Sequence, residues 1–339
     1  YTKLMTNVGQ TSNKGIELQL NAYIVETKDF SLNATFNIGH NKNKIDKLAS
    51  GEKEWILTSG WNKRVKNADD YRAYVGGTSG LIYGYVNDGF YKVEDFEYFD
   101  SKSRTWKLKE GVVDSSPLSD TPRPGNAKFK KLTPVDPNSS NPYQLTEADR
   151  TVIGNTTPKF SGGFGLNATY KGFDLSMFFN FMYDFDVFNA NKVMLTTWAD
   201  NHENNFGMEV ASDKRWRNFD DMGNEIRYSP ELLAEFNKNA TMWNPTSIGK
   251  PISMSYAVED GSFLRLNSAT LGYTLPQEWT KKAGLNKVRF YVAGSNLFTI
   301  TGYSGYDPEV DIATGLTPNI DNNRYPRSRT YTFGAQLTF

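Results

Sequence analysis

The stretch GIELQLNAYIVETKDFSLNATFNIGH, residues 15–40, alternates apolar and polar side chains twice around a short turn. Ile16, Leu18 and Leu20 share one face of its first segment, and Glu17 and Gln19 share the other. The same spacing resumes at residue 30, after the turn TKD. Successive side chains of a β-strand point to opposite faces, so this pattern predicts a long hairpin with one apolar and one polar face.

The alternation returns in five later segments, near residues 158–172, 173–184, 262–276, 287–299 and 331–339. Leu264 and Leu266 have the opposite parity to Leu271 and Tyr273, which predicts a β-bulge between the two pairs. The last segment, YTFGAQLTF, keeps an apolar residue at every second position. We therefore predict about seven strands and an all-β fold.

Composition excludes several classes of protein. Lys and Arg together number 38, as do Asp and Glu, so the chain lacks the basic excess of a nucleic-acid binder. It has no cysteine and only two histidines, which leaves little material for thiolate or histidine chemistry. No apolar run reaches the roughly 18 residues of a transmembrane helix.

Strand length and loop length favour a membrane barrel over a soluble sandwich. Soluble strands have about 5–6 residues, whereas about 12 residues tilted by about 40° rise about 30 Å, the thickness of a bilayer core. The connections alternate between short turns and long polar loops, at about residues 41–157, 184–261 and 300–327. Outer-membrane barrels have short periplasmic turns and long extracellular loops.

Aromatic residues on the apolar face lie beside the short turns. They are Phe30, Tyr170, Phe173 and Tyr273, with Phe339 at the same level. This arrangement predicts an aromatic girdle at one membrane interface. Because single-chain bacterial barrels have even strand numbers and no open edges, we expect further strands from residues preceding Tyr1.

Several blocks resemble one family in order and spacing. NKGIELQLNAYIVETKDFSLNATFNIGHNKNKI, YGYVNDGFYKV, TEADRTVIGNTTPKFSGGFGLNATYKGFDLSMFF, DGSFLRLNSATLGYTLP and RFYVAGSNLFTITGYSGYDPEV are similar to the C-terminal third of SusC/RagA-like TonB-dependent outer-membrane transporters of Bacteroidetes. The likeness spans nearly all of residues 1–339.

The resemblance implies a transmembrane antiparallel β-barrel of 22 strands, to which this chain contributes the C-terminal segment. It implies an N-terminal plug outside this chain, a SusD-like lipoprotein over the extracellular mouth, and active import of glycan or peptide energised through TonB. The implied protein is an outer-membrane transporter for nutrient uptake, without cofactor or enzymatic activity.

One loop departs from the family pattern. Where relatives often carry D-x-N-x-D-G, this chain has VDPNSSNPYQLTEADRTVIG, without the glycine and the central acid. Asp136, Asn138, Glu147 and Asp149 retain oxygen ligands, but calcium requires several of them in a tight loop. We predict an ordinary polar loop and no metal site.

Candidate ligand-contacting residues are aromatic and polar side chains of the long loops, because oligomeric ligands are held by stacking and hydrogen bonds. They are Trp198, His202, Arg215, Trp216, Trp243, Tyr303, Tyr306 and Asp307. The alternative for each tryptophan is packing between loops or against the lipoprotein. Arg324, Arg327 and Arg329 are interpreted as a solvated rim that pairs with acidic loop residues or lipid phosphates.

Polar residues of the strands are expected to face the lumen and a plug; they are Glu17, Gln19, Asn21, Asn33, Asn37, Asn167 and Asn180. A passive porin and a surface-binding barrel remain open as alternatives, because the plug would lie outside this chain. An outer-membrane enzyme and a soluble adhesive domain are weaker hypotheses, since neither His40 nor His202 has a recognisable catalytic neighbour.

Overall fold

The computed structural model describes residues 9–61, 69–198, 206–210, 213–310 and 315–339. Its main element is an antiparallel sheet of seven strands, here called the wall sheet. In chain order the strands are β1 (Gln10–Glu26), β2 (Phe30–Lys47), β3 (Phe160–Tyr170), β4 (Phe173–Tyr183), β5 (Phe263–Thr274), β6 (Lys287–Thr301) and β7 (Thr330–Thr338). The predicted all-β fold with about seven antiparallel strands is confirmed.

Each wall strand pairs with the next one along the chain, so the sheet is a simple meander. The hairpins β1–β2 and β3–β4 close through residues 27–29 and 171–172. Gly172 has a φ of 90°, and a Cβ atom there would lie 2.8 Å from the carbonyl oxygen of Thr274. This turn therefore needs glycine for both its conformation and its space.

The two faces of the wall sheet have opposite chemistry. The apolar face is open: Ile16 is 77% exposed and Phe333 is 81% exposed. Aromatic residues pair across its strands, as in the stacked rings of Phe164 and Phe179 with centroids 4.5 Å apart. The polar face carries residues such as Asn167. A sheet of this kind leaves apolar surface uncovered on one side along its whole width.

Register shifts adjust the strand faces, and besides one at the start of β1, between Gln10 and Thr11, two lie further inside the sheet. The predicted bulge in β5 is confirmed, because the register with both neighbours shifts between Leu266 and Ser268. A second shift, between Tyr23 and Val25 of β1, was missed. It pairs Val25 with Leu32 on the apolar face, so Val25, and not Ile24 as the alternation indicates, continues the apolar row.

Three long connections, residues 48–159, 184–262 and 302–329, carry the remaining elements. Their short strands are Glu54–Leu57, Tyr71–Tyr74, Leu81–Gly84, Asn87–Phe90, Phe96–Asp100, Thr105–Leu108, Ala127–Phe129, Thr151–Asn155, Asp186–Asn189, Val258–Asp260 and Ile320–Asp321. Single 3₁₀ turns cover Ala49–Gly51, Val93–Asp95, Glu147–Asp149, Met208–Val210, Pro245–Ser247 and Ser255–Ala257, and one more, Lys281–Ala283, lies in a short connection.

The helices are short: α1 (Ala190–Thr196), α2 (Pro230–Phe236) and α3 (Gln277–Thr280). Helix α2 lies in the stretch SPELLAEFNKNA, residues 229–240, and its first-turn Leu232 amide donates to the Ser229 hydroxyl. Within the described ranges, no helix is long and apolar enough to cross a lipid bilayer.

Candidate ligand-binding site

The three long connections fold around one hydrophobic core and are together called the loop module. Its buried residues come from all three, including Ile82 and Phe129 from the first, Phe188 and Ile252 from the second and Ile320 from the third. One small sheet joins Asp186–Asn189 and Val258–Asp260 to Ile320–Asp321. Ligand-sized clefts on this module are therefore built on a packed base.

The tyrosine cleft is an open depression of about 710 Å³ on the loop module. It is lined by Asn189, Asn191, Lys192, Leu195, Glu209, Ser304, Gly305, Tyr306, Asn323, Arg324, Tyr325 and Pro326. Tyr306 is 82% exposed and Tyr325 is 92% exposed. Two accessible phenol rings beside several amide groups suit a ligand with both apolar faces and hydrogen-bonding groups.

Glu259 fixes the floor of the tyrosine cleft. Its carboxylate accepts hydrogen bonds from the Ser304 amide at 2.9 Å, the Ser304 hydroxyl at 2.8 Å and the Asn189 side chain at 3.1 Å. Lys192 Nζ lies 3.4 Å from it. Burial opposes ionisation of Glu259, but the Ser304 hydrogen bonds and Lys192 prevail and hold its pKa below the ordinary value.

A second set of hydrogen bonds ties the cleft to the module. The Tyr303 hydroxyl donates to Asp321 at 2.7 Å, and the Asn191 amide donates to the other oxygen of Asp321 at 3.1 Å. The Asn323 backbone amide donates to Asn191 at 2.8 Å. Burial, followed by the bond to Asp321, raises the pKa of Tyr303, so its phenol stays protonated and keeps donating.

The tryptophan–arginine cleft, about 560 Å³, gathers three of the predicted residues. Its lining includes Trp198, Arg215 and Trp216, together with Arg217 and Asp221, which form an ion pair at 2.6 Å. Trp216 is only 4% exposed, and its Nε1 has no hydrogen-bond partner among the described residues. Its indole ring packs against Gly125 within the module, so Trp216 supports the wall of the cleft from inside.

Other predicted residues lie away from the cleft surfaces. Trp243 is buried in the module core and donates to the Thr196 carbonyl at 3.3 Å. Tyr303 is buried below the tyrosine cleft. Asp307 is buried against Arg265 of β5, with a donor–acceptor distance of 2.6 Å. His202 lies outside the described residues. The predicted residues therefore include both residues on cleft surfaces and residues that anchor the loops.

Arg327 of the predicted arginine rim pairs with the loop acids. Its guanidinium lies 3.5 Å from Asp307 and 3.4 Å from Glu309, which also contact Arg265. This cluster joins the third long connection to the wall sheet. Tyr325 and Asn191 were missed as cleft residues, although Tyr325 offered the same signal as the predicted aromatics, a ring in a polar loop.

Asp149 of the degenerate loop holds protein donors instead of offering free oxygens. One oxygen accepts from the amides of Leu132 and Thr133 at 2.9 and 2.7 Å, and from the Thr133 hydroxyl at 2.7 Å. The other accepts from Thr146 and contacts Lys131. Across the described ranges, no group of three or more acidic or histidine side chains has a metal-binding arrangement.

A larger cavity, about 850 Å³, lies between the wall sheet and the loop module. Glu17 and Ser161 line it from the wall, and Thr156, Pro318 and Asn319 line it from the module. Among the residues that the structure describes, its lining contains no tyrosine, tryptophan or phenylalanine ring. The tyrosine cleft is therefore the stronger candidate for ligand contact.

Known proteins with similar sequences are TonB-dependent receptors. The chain is 31% identical to TonB-dependent receptor P3 of Formosa agariphila over 98% of this chain and 29% of the relative. It is 25% identical to TonB-dependent receptor SusC of Bacteroides thetaiotaomicron, over 99% of this chain and 27% of the relative. The chain thus spans less than a third of these relatives. No protein-family model matches it.

Solved structures show the same fold. The structure of the RagAB peptide transporter matches with a TM-score of 0.68 and 23% identity, over 98% of this chain and 30% of that chain. A second match is the RagAB peptide importer in the closed-closed state, with a TM-score of 0.66. The wall sheet therefore has the fold of part of such a barrel, and the resemblance predicted from the sequence is confirmed.

Proposed function

We infer that this chain, a SusC/RagA-like TonB-dependent receptor sequence, forms part of an outer-membrane barrel that actively imports oligomeric nutrients. The observation that carries this inference is the open apolar face of the seven-stranded wall sheet. In water this face would leave a large patch of apolar surface exposed, whereas in a bilayer it contacts lipid. The similarity to SusC adds the class of transporter.

The rest of the barrel follows from the edges of the wall sheet. In hydrocarbon, an unpaired strand edge leaves backbone groups without partners, so spanning sheets must close. Strands β1 and β7 are the two edges of this sheet. We propose that they pair with further strands of a 22-stranded barrel that surrounds a plug.

The proposed ligand is an oligosaccharide or a peptide, bound on the extracellular side of the loop module. Tyr306 and Tyr325 offer rings that stack on sugar faces or apolar side chains, and Ser304 and Asn189 mark the polar floor. The tryptophan–arginine cleft adds the ring of Trp198 and the guanidinium of Arg215 to the surfaces that such a ligand would meet. Two clefts on one module suit a ligand with several repeating units.

The proposed partners are a SusD-like lipoprotein over the long loops and TonB, reached through the part of the protein that precedes this chain. The loop module supports the proposed lipoprotein contact because it forms a packed surface at the end of the wall strands opposite the short turns. The chain is similar to SusC in sequence and to the RagAB structure in fold, and these similarities motivate the proposed partners.

Uptake by cells carrying the full-length protein tests the function. Fluorescently labelled mixtures of casein peptides and of hydrolysed polysaccharide are offered separately, with and without deletion of the TonB-interacting segment. We expect uptake of one mixture, which the deletion abolishes. Uptake that survives the deletion and a protonophore would overturn active import and favour a passive porin.

The tyrosine cleft is tested in the same assay. Tyr306→Ala combined with Tyr325→Ala should reduce uptake at low ligand concentration about tenfold, because two stacking contacts of about 0.5–1.5 kcal/mol each are lost. Tyr98→Ala, at an exposed ring in the module outside the cleft, is the matched control. Binding that persists without uptake would instead indicate a surface-binding barrel.

A further inference from the structure

The connection between β5 and β6 differs from the other two short connections. Those are turns of two or three residues, whereas this one spans residues 275–286 and contains α3 and a 3₁₀ turn. Gly284, with a φ of 75°, ends the helical segment. A connection of this length is not needed to join two adjacent antiparallel strands, so it serves another purpose.

The connection is fixed to the wall sheet. The Asn286 amide donates to the Thr338 carbonyl of β7 at 2.8 Å, and the Leu275 amide donates to the Val288 carbonyl at 2.9 Å. Helix α3 packs against β6. Val288 is 5% exposed, whereas Phe290, the next residue on the same apolar face, is 52% exposed. The helical connection therefore lies beside Val288 at the short-turn edge and leaves the rest of the apolar face open.

The outer surface of this segment combines one aromatic ring with lysines. Trp279 is 61% exposed, and Lys281, Lys282 and Lys287 are exposed as well. None of these lysines makes an ion pair within the part of the chain that the structure describes. With Glu278 as the one acidic residue, residues 275–287 carry three positive charges and one negative charge, a net charge of +2.

We propose that the connection from residue 275 to 287 is a docking site for anionic phospholipid headgroups at the short-turn edge of the barrel. The inference rests on the proposed membrane location. Tryptophan rings favour the headgroup level of a bilayer, and lysines extend along apolar surface to place their ammonium groups in water. Trp279 lies in the interface while Lys281 and Lys282 contact lipid phosphates.

The charge and position of the segment favour lipid over a soluble anion. An aromatic row crosses the apolar face at this level, from Phe290 through Tyr273 to Phe173, and Phe290 and Phe173 are each about half exposed. A ligand that contacts both the aromatic row and the lysines needs acyl chains next to an anionic group. A phospholipid has both, and attraction to an anionic headgroup adds to burial of the chains.

Native mass spectrometry of the detergent-purified full-length protein tests the site, with phosphatidylglycerol and phosphatidylcholine titrated separately. The double variant Lys281→Gln/Lys282→Gln should weaken phosphatidylglycerol binding about tenfold and leave phosphatidylcholine unchanged. Lys238→Gln/Lys250→Gln, two exposed lysines of the loop module, is the matched control and should change neither. Trp279→Ala should weaken both lipids alike.

Unchanged phosphatidylglycerol binding in the Lys281→Gln/Lys282→Gln variant would overturn the proposal. Competition by inorganic phosphate as strong as that by phosphatidylglycerol would also overturn it, in favour of a soluble anion site. If a variant fails to fold, the test is made on the wild-type protein. Added salt must weaken its binding of phosphatidylglycerol, because salt screens the attraction between the lysines and the anionic headgroup. Lipid binding is measured independently of transport. If uptake fails while the protein still prefers phosphatidylglycerol, the import function alone is refuted.

Discussion

At the scale of single residues, some side chains that were candidates for metal or ligand binding hold loop segments together instead. Asp149 was considered for calcium because of its neighbours in sequence, yet its carboxylate is completely buried and surrounded by donors. Burial alone would raise the pKa of Asp149, but the hydrogen bonds from Thr133 and Thr146 prevail and lower it. The carboxylate is thus a junction between residues 131–133 and 146–149.

Replacing this carboxylate should loosen the first long connection. Asp149→Asn replaces one acceptor oxygen by an NH2 donor, so either the Thr146 amide or the amides of Leu132 and Thr133 lose their acceptor, which costs about 2 kcal/mol of local stability. Hydrogen exchange of the amides of Ala127–Phe129 and Thr151–Asn155 measures that loss. Asp136→Asn, at an exposed position with one hydrogen bond, is the control and should have little effect. Equal protection in Asp149→Asn and the wild type would contradict the proposed junction.

Asp70 should make the loop module sensitive to pH. Burial raises its pKa from 3.8 to about 6, although Ser59 donates to both of its oxygens. The folded module thus binds the proton more tightly than the unfolded chain, so stability falls as the pH rises from about 4 to about 6. The difference between the two pKa values corresponds to about 3 kcal/mol.

Asp70→Asn should remove this dependence, because the amide stays neutral. We expect protection of the amides of Tyr71–Tyr74 against hydrogen exchange, corrected for intrinsic rates, to fall between about pH 4 and about pH 6 in the wild type only. Asp69→Asn, at the partly exposed neighbour whose charge also raises the pKa of Asp70, should keep the dependence and shift it slightly to lower pH. The same profile in wild type and Asp70→Asn would refute the role of this group.

At the scale of elements, the sequence predicted the seven wall strands well, because each strand keeps a period of two across an apolar face. It was weaker where the period breaks or the face is polar. The bulge at Tyr23 and Val25 went unseen, and β1 and β2 run further into polar residues than the alternation indicated, to Gln10 and Lys47. Backbone pairing between β1 and β2 continues beyond the residues in which apolar and polar side chains alternate.

The parity of β3 predicts opposite effects for neighbouring substitutions. Leu166→Arg places a charge on the apolar face and should cost about 2–4 kcal/mol near the bilayer centre, so less protein assembles. Asn167→Arg, one residue later on the polar face, should be tolerated. The measurement is the fraction of full-length protein in outer membranes that stays folded in unheated detergent. Equal assembly of both variants would contradict the assignment of the faces.

At the scale of the whole molecule, the sequence alone left the loop module largely unpredicted. Its core depends on contacts between distant segments, as between Phe188 and Ile320 on neighbouring strands from different connections. Polar loop composition gives no signal that distinguishes a buried ring such as Trp243 from an exposed one such as Tyr306. Hence three of the predicted residues share the tryptophan–arginine cleft, while others anchor the module.

The most direct test of the central claim is spin-label accessibility along β3 of the full-length protein in lipid bilayers. This chain contains no cysteine, so single cysteines at Leu166, Asn167, Ala168 and Thr169 place a unique label in it. The account predicts that labels at residues 166 and 168 collide with oxygen in the lipid and are shielded from a water-soluble nickel chelate, whereas those at 167 and 169 are shielded from lipid. Uniform accessibility, or the opposite alternation, would contradict a wall sheet whose apolar face meets the membrane.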